Sequence, residues 1–129
     1  MNTSAKFIFL GATNAALAVM LGAFGKHALA PIISEKLLET WRTGAYYHLV
    51  HAVGLVLIGV LQERSVRPDR SAIAGWLLLA GILIFSGSLY ALVLTGLRPL
   101  GILTPFGGLC FISGWLWLAW SMFVPHPHP

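Results

Sequence analysis

Trp76-Leu77-Leu78-Leu79-Ala80-Gly81-Ile82-Leu83-Ile84-Phe85 decides the fold. The segment is apolar on every side. It shows neither the period-two alternation of a membrane-barrel strand nor the single apolar stripe of a soluble surface helix. It lies within residues 71–97, where no Asp, Glu, Lys or Arg occurs. A helix crosses the hydrocarbon core of a bilayer in about 20 mostly apolar residues, and this stretch is long enough to do so.

Further out, residues 7–25, 43–62 and 99–129 are also free of Asp, Glu, Lys and Arg, so the charges are confined to the boundaries between apolar runs. Of 129 residues 57% are hydrophobic and only 9% charged, with a mean hydropathy of +0.82. A soluble domain carries about 25% charged residues. A chain this short has too much surface for its volume to hide so much apolar material from water. The expected fold is all-α: an integral membrane four-helix bundle of antiparallel up-down topology. It forms a single domain with helices over about 7–25, 34–61, 72–95 and 104–124.

Local signals set the ends. Ser34 is placed to cap the second helix, and Glu35-Lys36-Leu37-Leu38-Glu39-Thr40-Trp41-Arg42 reads as its amphipathic N-terminal extension in the headgroup region, with a salt-bridged solvated face. Residues 62–71, with Arg64, Arg67, Pro68 and Arg70, read as a wet loop. Gly96-Leu97-Arg98-Pro99 reads as a tight turn, and Pro105 suits the first turn of the fourth helix. The tail from Pro125 to Pro129 cannot be helical, and its His126 and His128 read as frayed chain. Trp41 on one side and Trp76, Trp117 and Trp120 on the other read as an aromatic belt. Lys6 followed by an apolar run and Ala28-Leu29-Ala30 has the outline of a signal peptide. However, the run is long enough to span, and Lys26 and His27 separate it from the small residues, so a retained first helix is expected.

The net charge of +4 comes from helix flanks and forms no Lys/Arg-rich stripe. Membrane lipids are therefore the expected partners, with a second copy or another membrane protein beside them, and nucleic acid is not. Lys6, Arg64, Arg67 and Arg70 fall on the side of the termini; Lys26, Lys36, Arg42 and Arg98 fall on the other. The arginines crowded into the short 62–71 segment favour cytoplasmic termini. The lone Cys110 excludes an intrachain disulfide and any paired-cysteine metal motif.

Lipid gives no hydrophobic drive for helix association, so close approach through small residues has to help. Gly11, Ala15, Ala18, Gly22 and Gly25 recur on one face of the first helix, with Asn14 on the same face. Gly107 and Gly114 share a face of the fourth helix with Thr104 and Cys110. The polar residues gather as well. Thr40, Gly44, Tyr47, His48 and His51 fall on one face of the second helix, and Ser86 and Tyr90 on one face of the third. Antiparallel connectivity places them at matching depths, and His27 leaves the first helix on the same side. A polar pocket lined by His27, Tyr47, His48, His51, Ser86 and Tyr90 is expected, taking a lipid headgroup, a small ligand or a partner helix. The plain alternative is interhelical hydrogen bonding worth about 0.6 kcal/mol per contact. Other readings are a metal site at His27, His48 and His51, bis-histidine haem ligation, and an oligomeric small-solute transporter or channel. No nucleophile, base and orienting group can be assembled, so no enzyme and no cofactor are expected.

Blocks Gly22-Ala23-Phe24-Gly25-Lys26-His27-Ala28-Leu29, Leu38-Glu39-Thr40-Trp41-Arg42-Thr43-Gly44-Ala45-Tyr46-Tyr47-His48-Leu49-Val50-His51-Ala52, Phe85-Ser86-Gly87-Ser88-Leu89-Tyr90 and Thr104-Pro105-Phe106-Gly107-Gly108 occur in that order. They resemble the YgdD-type family of small four-span membrane proteins, a domain of unknown function. The resemblance covers nearly the whole chain. It implies a four-helix membrane fold and the inner membrane of a bacterium, and brings with it no catalytic residue or cofactor.

Overall fold

The computed structural model describes residues 1–65 and 68–123. Helix α1 spans Thr3–Phe24 and continues through a π-helical turn, Gly25–Leu29; α2 spans Glu35–Arg64. Helix α3, Pro68–Gly81, passes through a second π turn, Ile82–Ser86, into α4, Gly87–Thr95. A 3-10 turn, Arg98–Ile102, leads to α5, Thr104–Phe123. Four segments are long and apolar enough to cross a membrane: Thr3–Leu29, Glu35–Arg64, Pro68–Thr95 and Arg98–Phe123. Among the described residues there is no strand, and the chain is an all-α four-helix membrane bundle.

The helices overrun the charge-free stretches, because capping and not charge decides where a helix stops. Asn2 accepts from the Ala5 N–H at 2.8 Å, so α1 starts ahead of the expected position 7. Ser34 accepts from the Leu37 N–H at 3.2 Å and caps α2 as its position predicts. The wet loop expected over 62–71 is much shorter, since α2 runs on to Arg64 and α3 begins at Pro68. Gln62 and Ser71 are buried, not wetted: Gln62 Nε2 and Ser71 Oγ both donate to the Pro68 carbonyl, at 2.9 and 3.0 Å, and tie the helix ends together. At the other end Gly96 takes φ +71°, and its N–H donates to the Leu92 carbonyl at 2.8 Å, a left-handed cap that needs glycine. Arg67, the fourth helix beyond Phe123 and the Pro/His tail lie outside the described residues.

Helix α2 and the third span form the centre, with α1 and α5 outside them. Phe7, Leu55, Ile58, Ala74, Leu78, Ile82 and Phe111 make the main core. Missing side chains set the closest approaches. A Cβ at Gly11 would lie 2.7 Å from the Ala52 carbonyl and Val56, and one at Gly114 would lie 2.8 Å from Leu78. A Cβ at Gly107 would run into the Phe85 backbone. Along the α1 stripe Ala18 is buried, and Asn14 and Ala15 are half-buried. Gly22 departs from its expected packing role, since nothing lies within 4 Å of where its Cβ would be. The Trp41 ring packs one turn further on, over Gly25, where a Cβ would run into it.

Trp41 also departs from the belt reading. It is 1% exposed, its indole N–H donates to the Leu21 carbonyl at 2.8 Å, and it packs on Phe24 and Tyr90. Trp76 and Trp120 stay half-exposed, as belt residues do, while the Trp117 indole N–H is turned onto the Arg70 carbonyl at 2.9 Å.

Candidate functional site

Of the six side chains expected to line a pocket, His48, His51 and Ser86 are buried and Tyr90 is half-buried, while Tyr47 and His27 are exposed. The buried ones face protein groups. Ser86 Oγ donates to the Gly44 carbonyl of α2 at 2.8 Å, across a point where Gly44 has no side chain and Tyr90 closes in. His48 stands in a relay across three spans. Asn14 Nδ2 donates to the Leu10 carbonyl at 2.8 Å, which turns Oδ1 toward His48. That oxygen can only accept, so His48 Nε2 donates to it at 2.9 Å. In the neutral ring Nδ1 then accepts from the Tyr90 hydroxyl, at 3.0 Å.

The expected pocket is therefore a packed polar layer, in which His48 and Tyr90 are bonded to each other and Ser86 to the Gly44 carbonyl. The metal alternative at His27, His48 and His51 is corrected for the same reason. His48 has no free lone pair, and His27 stands exposed in the first π turn. Among the described residues no three His, Cys, Asp or Glu side chains gather where an ion could be held. Haem ligation through His48 fails on the same count. Asn14, read as a packing residue, proves to be the partner of His48; the register of α1 on α2 that joins them cannot be read from either helix alone.

An open groove of about 750 Å³ lies beside this layer, between the start of α2 and the end of α4. Leu37, Leu89 and Leu92 line its apolar part; Lys36, Arg98, Ser34 and Thr40 bring charge and hydroxyls to it. Lys36 and Arg98 have no acidic partner among the described residues, where the ion pair is Arg42 with Glu35 at 3.0 Å, both exposed. The Thr40 hydroxyl is spent on the Lys36 carbonyl at 3.1 Å, whereas Ser34 accepts at its cap and its own hydrogen has no acceptor among the described residues. Sequence reasoning counted Lys36 and Arg98 only as flanking charge. The available signal was two cations bordering apolar runs at the same end of the bundle.

The family model described as "Protein of unknown function (DUF423)" matches residues 21–108. The UPF0382 membrane protein YwdK of Bacillus subtilis (strain 168) is 49% identical over 110 residues, covering 85% of this chain and 89% of its own. The UPF0382 membrane protein SAB0533 of Staphylococcus aureus (strain bovine RF122 / ET3-1) is 47% identical over 118 residues, covering 91% of this chain and 94% of its own. SH2409 of Staphylococcus haemolyticus, also named a UPF0382 membrane protein, is 46% identical over the same shares. No solved structure matches the chain.

Proposed function

The chain belongs to the DUF423 family, proteins of unknown function, and from that premise we propose that it is a non-enzymatic membrane protein seating an anionic phospholipid in the groove between α2 and α4. The observation that carries this is the pair of cations, Lys36 and Arg98, without an acidic partner among the described residues and beside an apolar wall at the end of the spans. A phosphodiester fits the cations and the Ser34 hydroxyl, and the upper acyl chains fit Leu37, Leu89 and Leu92. The volume of about 750 Å³ is that of a small-molecule site. A non-catalytic role is supported by the hydrogen bonds that occupy His48, Ser86 and Tyr90.

Each cation near an anionic surface contributes about 1 kcal/mol. The Lys36→Gln/Arg98→Gln variant is accordingly expected to retain phosphatidylglycerol at least about tenfold less well in native mass spectrometry, with phosphatidylcholine unaffected. Equal retention of phosphatidylglycerol by variant and wild type would remove the basis of the reading.

The bacterial plasma membrane is the placement supported by the YgdD-type resemblance and by relatives from bacteria. Cytoplasmic termini rest on the arginines near the α2–α3 connection and put the groove in the outer leaflet. With Cys110→Ser as background, Ser34→Cys is expected to react with an impermeant maleimide on intact cells, and Thr3→Cys only after lysis. The opposite pattern would invert the orientation.

A further inference from the structure

His51 is left with an unspent acceptor. Its Nδ1 lies 2.7 Å from the Tyr47 carbonyl, which can only accept, so Nδ1 holds the proton and Nε2 the lone pair of the neutral ring. No described group donates to that nitrogen. Among the described residues the fully enclosed side-chain N or O atom without a partner is Gln62 Oε1. His51 Nε2, equally partnerless, is therefore not enclosed. It is the accessible edge of an otherwise buried ring, with Phe111 stacked on one face at 3.5 Å.

The matching donor is next to it. The Trp115 ring centre lies 5.9 Å from that of His51, the residue is 38% exposed, and its indole N–H has no acceptor among the described residues. The six-membered ring rests over Gly54, where a Cβ would be 3.1 Å away, which holds the indole in place.

Depth decides what can satisfy these groups. His51 lies roughly 24 Å along α2 from Glu35, near the middle of the span Glu35–Arg64. Water and headgroups do not reach that level, so the missing donor has to come from protein.

We propose that the chain pairs with a second copy of itself through this face, each Trp115 indole N–H donating to His51 Nε2 of the other copy. A two-fold axis normal to the bilayer preserves depth. With a donor and an acceptor side by side on one face at one level, an axis passing between them sets each donor opposite the acceptor of the other copy. A different membrane protein would have to supply both an acceptor and a donor at this level. Ile112 and Ala119, one turn to either side of Trp115, are exposed and give the pair apolar contact.

Dimerisation is measured by fluorescence energy transfer between labelled copies as the protein is diluted in lipid vesicles. The wild type is expected to dimerise reversibly. Trp115→Phe removes both symmetric hydrogen bonds while keeping an aromatic ring, and should raise the dissociation constant roughly tenfold. His51→Phe should do the same, and combining the two should add little, because the same bonds are lost. Energy transfer absent at every density overturns the proposal. So does a dimer indifferent to Trp115→Phe, or a different membrane protein captured on this face in place of self-association.

Discussion

Gly107→Leu is expected to lower the melting temperature of the detergent-solubilised protein by about 10 °C or more, while Gly22→Leu leaves it within about 2 °C. Any side chain at position 107 enters the Phe85 backbone at its N and Cα atoms, and no rotamer change removes a backbone atom from the way. Phe85 cannot yield, since it belongs to the π turn Ile82–Ser86, and Ser86 anchors that turn to α2 through the Gly44 carbonyl. α5 has to move instead. Its retreat breaks the 2.7 Å contact between Ser88 and Thr104 and draws Phe111 off His51. Overpacking of this kind costs about 3 kcal/mol or more when the obstacle is main chain. At Gly22 the added Cβ meets nothing within 4 Å, so a leucine there starts into open space. Thermal denaturation followed by circular dichroism checks both; equal losses in the two variants would mean that glycine content, and not these contacts, governs stability.

The spans were legible because a bilayer excludes charge, which turns a three-dimensional constraint into a pattern along the chain: the gaps at 7–25 and 43–62 fall inside the spans Thr3–Leu29 and Glu35–Arg64, and the gap at 71–97 overruns the span Pro68–Thr95 by two residues only. What depends on how one helix sits on another was not legible. Trp41, at a helix start among charges, has the sequence context of an interface residue. Only the close approach at Gly25 and the Leu21 carbonyl, which accepts from the Trp41 indole as well as from the Gly25 N–H, make a site for it inside the bundle. His27 was assigned to the polar layer by depth alone, but depth does not specify direction, and the residue points outward. The same depth argument placed His48, Ser86 and Tyr90 correctly relative to one another. It could not show that their hydrogen bonds close, because Asn14 comes from α1 and Gly44 contributes only its carbonyl. Gln62 and Ser71 were read as wet loop residues, since nothing in a polar side chain announces that a helix-end carbonyl will take its proton.

His48→Phe is expected to cost about 2 kcal/mol, more than Asn14→Leu or Tyr90→Phe. Interhelical hydrogen bonds inside a membrane average about 0.6 kcal/mol and reach about 1.7. The histidine makes two such bonds, so its removal takes both and strands the Asn14 carbonyl oxygen, which has no other donor among the described residues. Tyr90→Phe removes one bond and keeps the ring against Trp41, 4.7 Å between centres, so about 0.6 kcal/mol is expected. Asn14→Leu falls between: it strands only a histidine N–H and fills its space with apolar atoms. The decisive measurement is a double-mutant cycle. If the relay holds α1 to α2, Asn14→Leu costs stability in the wild-type chain and costs nothing, or restores some, in the His48→Phe background, because the oxygen it removes is already unpaired there. An equal cost in both backgrounds would show that the asparagine and the histidine act independently, and that the bundle is joined at this level by packing of Ala18, Trp41 and Ala52 instead.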